Sequence, residues 1–511
     1  MLLLQKHYVM AGNGMKRLAK DTAIYGLSSI VARFLNWCLV PMYTRIFTDT
    51  GEYGIVTNIY GYTAFALVLL TFGMETTFFR YINKKEENAL SVYSTTLISI
   101  ASTSILFILL CLSFLPSISS WMGYTNHSDY IIIMAATVAV DAFTSIPFAY
   151  LRYKKRPVRF ASLKCLNILL VIALNIFFLI ICPRVYQSNP QLINWFYNPD
   201  YGIGYIFVAN LITSAITLLL LAPELIGFRY SFDKVLFRKM LKYTAPLLVL
   251  GLAGVMNQTI DKILYPHFLF EDSKEGFRQL GIYGACAKIA VVMTMFTQAF
   301  RYAYEPFIFA QHKDKDNRES YATAMKYFII LALFIFLAVI FYIDILKHFV
   351  GPEYFEGIHV VPIVMMGEIF FGIYFNLSLW YKLIDKTYYG AIFSITGCIV
   401  IVVINVIFVP LYGYIASAWA SFFCNMVMML LSYFFGQKYY PIKYELKTIL
   451  LYSVLAVTIY AAAMQPNIEN ETIRLAYRTL LLIVFATVII KRDIPLSEIP
   501  VISKFFRKKD N

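Results

Sequence analysis

Of the ionisable side chains inside, or at the edge of, long apolar runs, nine could do chemistry: Arg33, Glu75, Arg80, Asp141, Asp261, Lys262, Lys288, Arg301 and Glu368. An ionisable group at mid-bilayer costs about 2.5–3.5 kcal/mol on insertion scales, so it faces a cavity or a partner. Arginine can grip an oxyanion bidentately and lysine acts as a point charge, so Arg33, Lys262 and Lys288 suit an anionic guest. The carboxylates Asp141, Asp261 and Glu368 could hold those cations in pairs, or take a proton or sodium ion. Counted along their runs, Arg33 and Asp141 both fall near the midplane. Asp261, Lys262, Lys288 and Glu368 share one layer, roughly 10 Å below the outer surface at about 1.5 Å per residue. Two readings stand side by side: a basic cavity for an anion, or locked interhelical pairs, Asp141 with Arg33 and Asp261 with Lys288. Arg80, Arg301 and Lys164 lie near inner ends, where a long side chain can snorkel to the interface. Arg80 and Arg301 also suit an inner gate or a first contact for that anion, with Glu75 about one turn before Arg80 as its expected partner. Arg45, Lys326, Arg474, Arg478 and the 504–509 tract read as interfacial anchors for anionic lipid.

The elements that carry these groups follow from composition. Of 511 residues, 59% are hydrophobic and 14% charged, too apolar for a soluble chain to cover itself with polar surface. Fourteen apolar stretches of spanning length are expected to form helices, because backbone amides in lipid must bond within their own segment. The reading is an all-α membrane protein with a cytoplasmic segment at 1–22. A first lobe of six spans follows over 23–222 and a second over 223–436. Two further spans occupy 437–490, and a basic cytoplasmic tail 491–511. With the N-terminus inside, inner segments hold 31 Lys and Arg and outer segments 4, alternating throughout. This strong positive-inside signal puts both termini in the cytoplasm. Met1-Leu2-Leu3-Leu4 is too short for a signal-peptide core, and Met15 is a more natural start than Met1. Prolines 41, 147, 246 and 362 fall inside spans and could kink them.

Other chemistries find little support. The net charge of +14 is spread over short tracts between spans, not on a face for nucleic acid. Seven cysteines, all in apolar runs, offer no disulfide framework or metal spacing. No phosphate loop and no His-Glu-x-x-His pair occurs, and no loop is long enough for a nucleotide-binding domain. No metal and no cofactor is expected, and the protein is expected to act without catalysis. Energy would come from the membrane potential, protons or sodium.

The chain repeats itself weakly after six spans. Thr22-Ala23 and Phe79-Arg80-Tyr81 correspond to Thr244-Ala245 and Phe300-Arg301-Tyr302. Tyr53-Gly54-Ile55 corresponds to Gly281-Ile282-Tyr283-Gly284, and Leu174-Asn175-Ile176 to Ile404-Asn405-Val406. Six is even, so both lobes would point the same way, related by an axis along the membrane normal, around a central cavity.

The first 80 residues carry a family pattern: Lys16-Arg17-Leu18-Ala19-Lys20-Asp21-Thr22, Gly26, Arg33, Pro41, Thr44-Arg45-Ile46-Phe47, Asp49-Thr50-Gly51-Glu52-Tyr53-Gly54, Gly73-Met74-Glu75 and Phe79-Arg80-Tyr81. The sequence resembles the Wzx-type polysaccharide-export flippases of the MOP superfamily, which also holds the MurJ lipid II flippases and MATE drug exporters. The resemblance implies two six-helix lobes, alternating access, and passage of an undecaprenyl-diphosphate-linked oligosaccharide to the periplasmic leaflet of a bacterial inner membrane. The product would be O-antigen, capsule or a related polymer. Implied partners are the polyprenyl-diphosphate-linked glycan, membrane lipids and polysaccharide polymerase machinery. MurJ-like proteins carry a second mid-span arginine where Leu39 stands here, which counts against lipid II. Two rivals remain: a MATE-like multidrug exporter, which should prefer acidic cavity residues, and a membrane polymerase or ligase, which should carry a larger outer loop.

Overall fold

Lipid offers the backbone no hydrogen-bond partners, and each long apolar run has accordingly closed its bonds within a helix. The computed structural model describes residue 26 and residues 30–84, 86–268, 270, 272–311, 318–384, 386–465 and 468–493. In chain order the long helices are α1 (30–46, with a turn at 38–39), α2 (Thr50–Ile82), α3 (Ala89–Ser113), α4 (Ser128–Tyr153), α5 (Pro157–Ser188), α6 (Gly204–Leu220) and α7 (Lys234–Phe268). They continue with α8 (Ser273–Gln311), α9 (Arg318–Phe341), α10 (Val361–Leu377, extended by Leu379–Leu383), α11 (Tyr388–Tyr412), α12 (Tyr414–Tyr439), α13 (Leu446–Met464) and α14 (Glu471–Arg492). Among the described residues, twelve helical spans are long and apolar enough to cross a membrane. α6, at 17 residues, is shorter. The expected first span begins outside the described residues. The 1–22 segment and the basic 504–509 tract lie outside them entirely.

Local sequence explains the breaks. Asp49 caps α2 by accepting from the Gly51 amide at 2.8 Å, Asn88 caps α3 and Asn470 caps α14. Within α2 the helix stops at Thr71 and restarts at Met74. Phe72 and Gly73 both take positive φ, 34° and 73°, so Glu75 and Arg80 ride on a re-aimed segment. The kinks expected at Pro41 and Pro362 are instead starts, since both prolines sit in the first turn of a helix. There the missing amide proton costs no helical bond. Pro147 and Pro246 do lie inside α4 and α7. One turn of α5, Phe177–Ile181, is π-helical.

The chain forms two compact units. One comprises Met1–Ala285, Val350–Glu356 and Tyr388–Cys424. Its core runs from Met74 and Phe78 through Tyr93, Ile100, Ala142 and Ile146 to Met240. Tyr93 stacks on Tyr150 with ring centroids 4.3 Å apart and donates to the Glu224 carbonyl at 2.8 Å. In the same unit α2 lies against α7 and crosses the start of α8. There Gly54 and Gly281 leave no room for a Cβ against the Phe277 and Thr50 carbonyls, a close approach that small residues permit. Asn58 donates to the Lys262 carbonyl at 2.7 Å and accepts from the Tyr124 hydroxyl at 2.7 Å. The repeat-related asparagines are both buried in this unit. Asn175 accepts from the Tyr43 hydroxyl at 2.9 Å, and Asn405 from Ser417 Oγ at 2.5 Å.

The other unit comprises Cys286–Phe349, Gly357–Thr387 and Asn425–Asn511. In it α9 packs against α10, α13 and α14, with Phe328, Leu337 and Phe341 fully buried. Ion pairs tie both ends of this group. Asp344 holds Arg478 at 2.8 Å and Arg474 at 3.0 Å. Lys326 holds Glu445 at 2.9 Å and Asp493 at 3.4 Å. The lipid-anchor expectation for Lys326, Arg474 and Arg478 is therefore corrected. Each has found a carboxylate inside the protein, which suits a charge at membrane depth better than acyl chains do. Exposed apolar faces such as Ile105, Leu106, Leu109 and Leu112 of α3 present hydrocarbon outward, as a lipid solvent requires.

Candidate functional site

Four helices of the first unit carry polar residues at helical spacing. α4 presents Thr137, Asp141, Thr144 and Ser145; α6 presents Asn210, Thr213, Ser214 and Thr217; α5 presents Lys164 and Asn167; α2 presents Tyr60, Thr63 and Thr71. Steps of three and four place such residues on one helix face. The four faces enclose a cavity of about 580 Å³. That volume lies in the usual range for small-molecule sites, about 300–1,000 Å³.

Its walls are organised by short bonds. Ser214 Oγ donates to Asp141 Oδ1 at 2.6 Å, while Oδ2 accepts no bond among the described residues. Asn210 donates to the Tyr60 hydroxyl at 2.8 Å and Asn167 to Thr217 Oγ1 at 2.9 Å. Most wall hydroxyls bond back to a carbonyl on their own helix, as Thr63 does to Ile59 and Thr217 to Thr213. This leaves their oxygens free to accept. Lys164 lies over the Phe148 ring, Nζ to centroid 4.1 Å, and interacts electrostatically with Asp141. Its ammonium has no hydrogen-bond acceptor among the described residues. Thr213 Oγ1 is buried and likewise without a partner among them. Toward the loop ends of α2 and α4, Arg152 pairs with Glu75. The Arg152 and Glu75 side chains are 32% and 43% exposed.

The sequence-predicted residues divide. Asp141 and Glu75 line the cavity. Glu75 pairs with Arg152 instead of Arg80; Glu75 and Arg80 share the helix Met74–Ile82 but stand five residues apart, about 140° around its axis. Arg80 lies over the Tyr243 ring at 4.1 Å. Arg33 is exposed on α1 and is not part of the cavity wall. Asp141, expected opposite Arg33, faces Ser214 and Lys164. Asp261 is buried, and its ion pair is with its neighbour Lys262, whose Nζ lies 3.1 Å away and also donates to the Gln258 carbonyl at 2.5 Å. In the second unit Lys288 is exposed, Glu368 accepts from Thr294 Oγ1 at 2.9 Å, and Arg301 lies 4.3 Å over the Phe375 ring. Lys164, expected to snorkel, is a wall residue of the cavity. Arg152, Asn167, Asn210, Thr213 and Ser214 escaped notice, although the 210–213–214–217 spacing on an apolar helix was there to be read. Among the described residues, no group of three or more His, Cys, Asp and Glu side chains is placed to hold a metal ion.

The architecture is shared with known transporters. A lipid II flippase MurJ in an inward closed conformation is similar with a TM-score of 0.71 at 16% identity, over 91% of this chain and 98% of that one. An inward-facing multidrug resistance MATE family transporter of the MOP superfamily gives 0.58 at 16% identity, over 82% and 94%. An outward-facing MATE family transporter gives 0.55 at 15%, over 82% and 95%. The protein is a multi-pass, all-helical membrane protein with the MOP-superfamily fold. Its residues 18–312 match the model of a family described as polysaccharide biosynthesis protein, and the chain belongs to that family. No curated protein matches it in sequence.

Proposed function

We propose that the protein is a flippase that carries a polyprenyl-diphosphate-linked oligosaccharide from the cytoplasmic to the periplasmic leaflet of a bacterial inner membrane, by alternating access, for surface polysaccharide biosynthesis. The observation that carries this reading is family membership over residues 18–312. The MurJ-like fold over 91% of the chain supports a lipid-linked cargo. The charge alternation of the loops supports cytoplasmic termini. On this reading the protein is a transporter and not an enzyme. Two pseudo-symmetric lobes alternate access, the product is O-antigen, capsule or a related polymer, and polymerase machinery takes the cargo on the far side. Arg33 serves as a phosphate contact, since guanidinium matches two phosphate oxygens at once. The membrane potential, worth about 2.3 kcal/mol per charge per 100 mV, or a proton or sodium gradient drives the cycle.

The test is complementation of a flippase-deficient strain of the same glycan system. The intact protein restores export, and Arg33→Ala, present at normal level, does not. Lipid-linked units that accumulate facing the cytoplasm without the protein fit a flippase. Units stranded in the periplasm would indicate a polymerase or ligase, and drug export without glycan export a MATE-like exporter. Either result overturns the reading.

A further inference from the structure

The cavity bounded by α2, α4, α5 and α6 is poorly suited to a diphosphate. Its four charged side chains cancel: Asp141 and Glu75 against Lys164 and Arg152. Arg152 is already engaged by Glu75. A multiply charged anion would meet two carboxylates for every two cations, and like charges in a site of low dielectric repel strongly. The groups left unsatisfied are instead one acceptor, one donor and one group that is both. Asp141 Oδ2 can accept, the Lys164 ammonium can donate, and the buried Thr213 hydroxyl can do either. A sugar hydroxyl is itself both donor and acceptor. It can accept a hydrogen bond from Lys164 and donate one to Asp141, whereas the oxygens of an ionised diphosphate can only accept. The remaining wall of hydroxyls and amides repeats that chemistry, and the volume of about 580 Å³ suits a small glycan.

We propose that this cavity seats neutral sugar of the lipid-linked cargo, with Asp141 and Lys164 clamping one hydroxyl between them, while the diphosphate is held elsewhere. The proposal rests on the flippase reading above. Glu75 and Arg152 pair with each other at one end of the cavity, and Thr213 offers a third contact inside. The cavity is thus a specificity site: it reads what is attached to the lipid.

The full-length chain, reconstituted in vesicles of phosphatidylethanolamine and phosphatidylglycerol, can be given two substrates. One is undecaprenyl diphosphate bearing a single hexosamine; the other is the complete lipid-linked oligosaccharide of the strain that carries the protein. The readout is the ratio of the two translocation rates. Asp141→Asn and Lys164→Met are each expected to lower the oligosaccharide-to-monosaccharide ratio about tenfold, the size of one charge-assisted hydrogen bond. Thr213→Val keeps the volume and folds even where a charge variant does not; it is expected to lower the ratio about threefold. An unchanged ratio in all three variants overturns the proposal. So does an equal loss of both rates with a shifted pH or sodium dependence, which would make Asp141 and Lys164 an ion-coupling pair. If the unsubstituted protein moves neither substrate, the flippase reading itself fails, a result separate from any change in ratio.

Discussion

Replacing Gly281 by alanine tests the helix crossing at the start of α8 directly. A Cβ at Gly281 would lie 1.8 Å from the Thr50 carbonyl oxygen, where ordinary van der Waals contact begins near 3.4 Å. The shortfall is about 1.6 Å, and the obstacle is backbone, which cannot swing aside as a side chain can. Overpacking a close interface costs about 1–3 kcal/mol, and an overlap of this size belongs at the upper end. Against that, alanine in a helix interior is better than glycine by about 1 kcal/mol. Gly281→Ala should therefore lose about 2 kcal/mol. Gly254, on α7, supplies the control, since a Cβ there meets nothing within 4 Å. Gly254→Ala should be neutral or gain about 0.5–1 kcal/mol by the same helix preference. The two signs are opposite, so the comparison separates packing from propensity. Equilibrium unfolding of the purified protein in mixed micelles of rising denaturing-detergent fraction reads both. A Gly281→Ala protein as stable as Gly254→Ala would refute the contact between α2 and α8.

Asp344→Asn should cost about 3–5 kcal/mol in the same assay, because it strands Arg478, whose side chain is 10% exposed, along with Arg474. Adding Arg478→Met to Asp344→Asn should recover part of that loss, and no recovery would mean the arginine does not depend on Asp344. Lys326→Met should destabilise less, by about 1–3 kcal/mol, since Asp493 keeps Arg492 and the Tyr452 hydroxyl, and restoring the charge with Lys326→Arg should rescue most of it. Asn405→Leu should cost about 1–3 kcal/mol because the buried Ser417 hydroxyl loses its acceptor; a melting point equal to that of the parent would contradict the bond.

Helical class and the presence of many membrane spans were legible because they depend on composition and period, which are one-dimensional. The positions of Asp141 and Lys164 along their helices could be counted. Azimuth could not be read. Lys326, Arg474 and Arg478 looked like lipid anchors because their partners Glu445, Asp493 and Asp344 come from other helices, up to 167 positions away. Glu75 and Arg80 are close in sequence and do share one helix, but a spacing of five puts them about 140° apart around it, and Arg152 of another helix takes the carboxylate. The polar faces of α4 and α6 had a readable period. Singling out charges alone hid them, since the cavity is built mostly of hydroxyls and amides.

The π-helical turn at Phe177–Ile181 fits one residue more into its stretch of α5 than ordinary winding would. One extra residue rotates everything beyond it by about 100°. Before the turn, α5 aims Lys164 and Asn167 at the cavity; after it, Tyr186 meets the Tyr197 ring edge to face, centroids 6.0 Å apart. Deleting a single residue in this turn would leave both halves helical yet swing the aromatic end out of phase with the polar end. A length change of one, harmless in a loop, would here dismantle a tertiary fit at a distance from the cut.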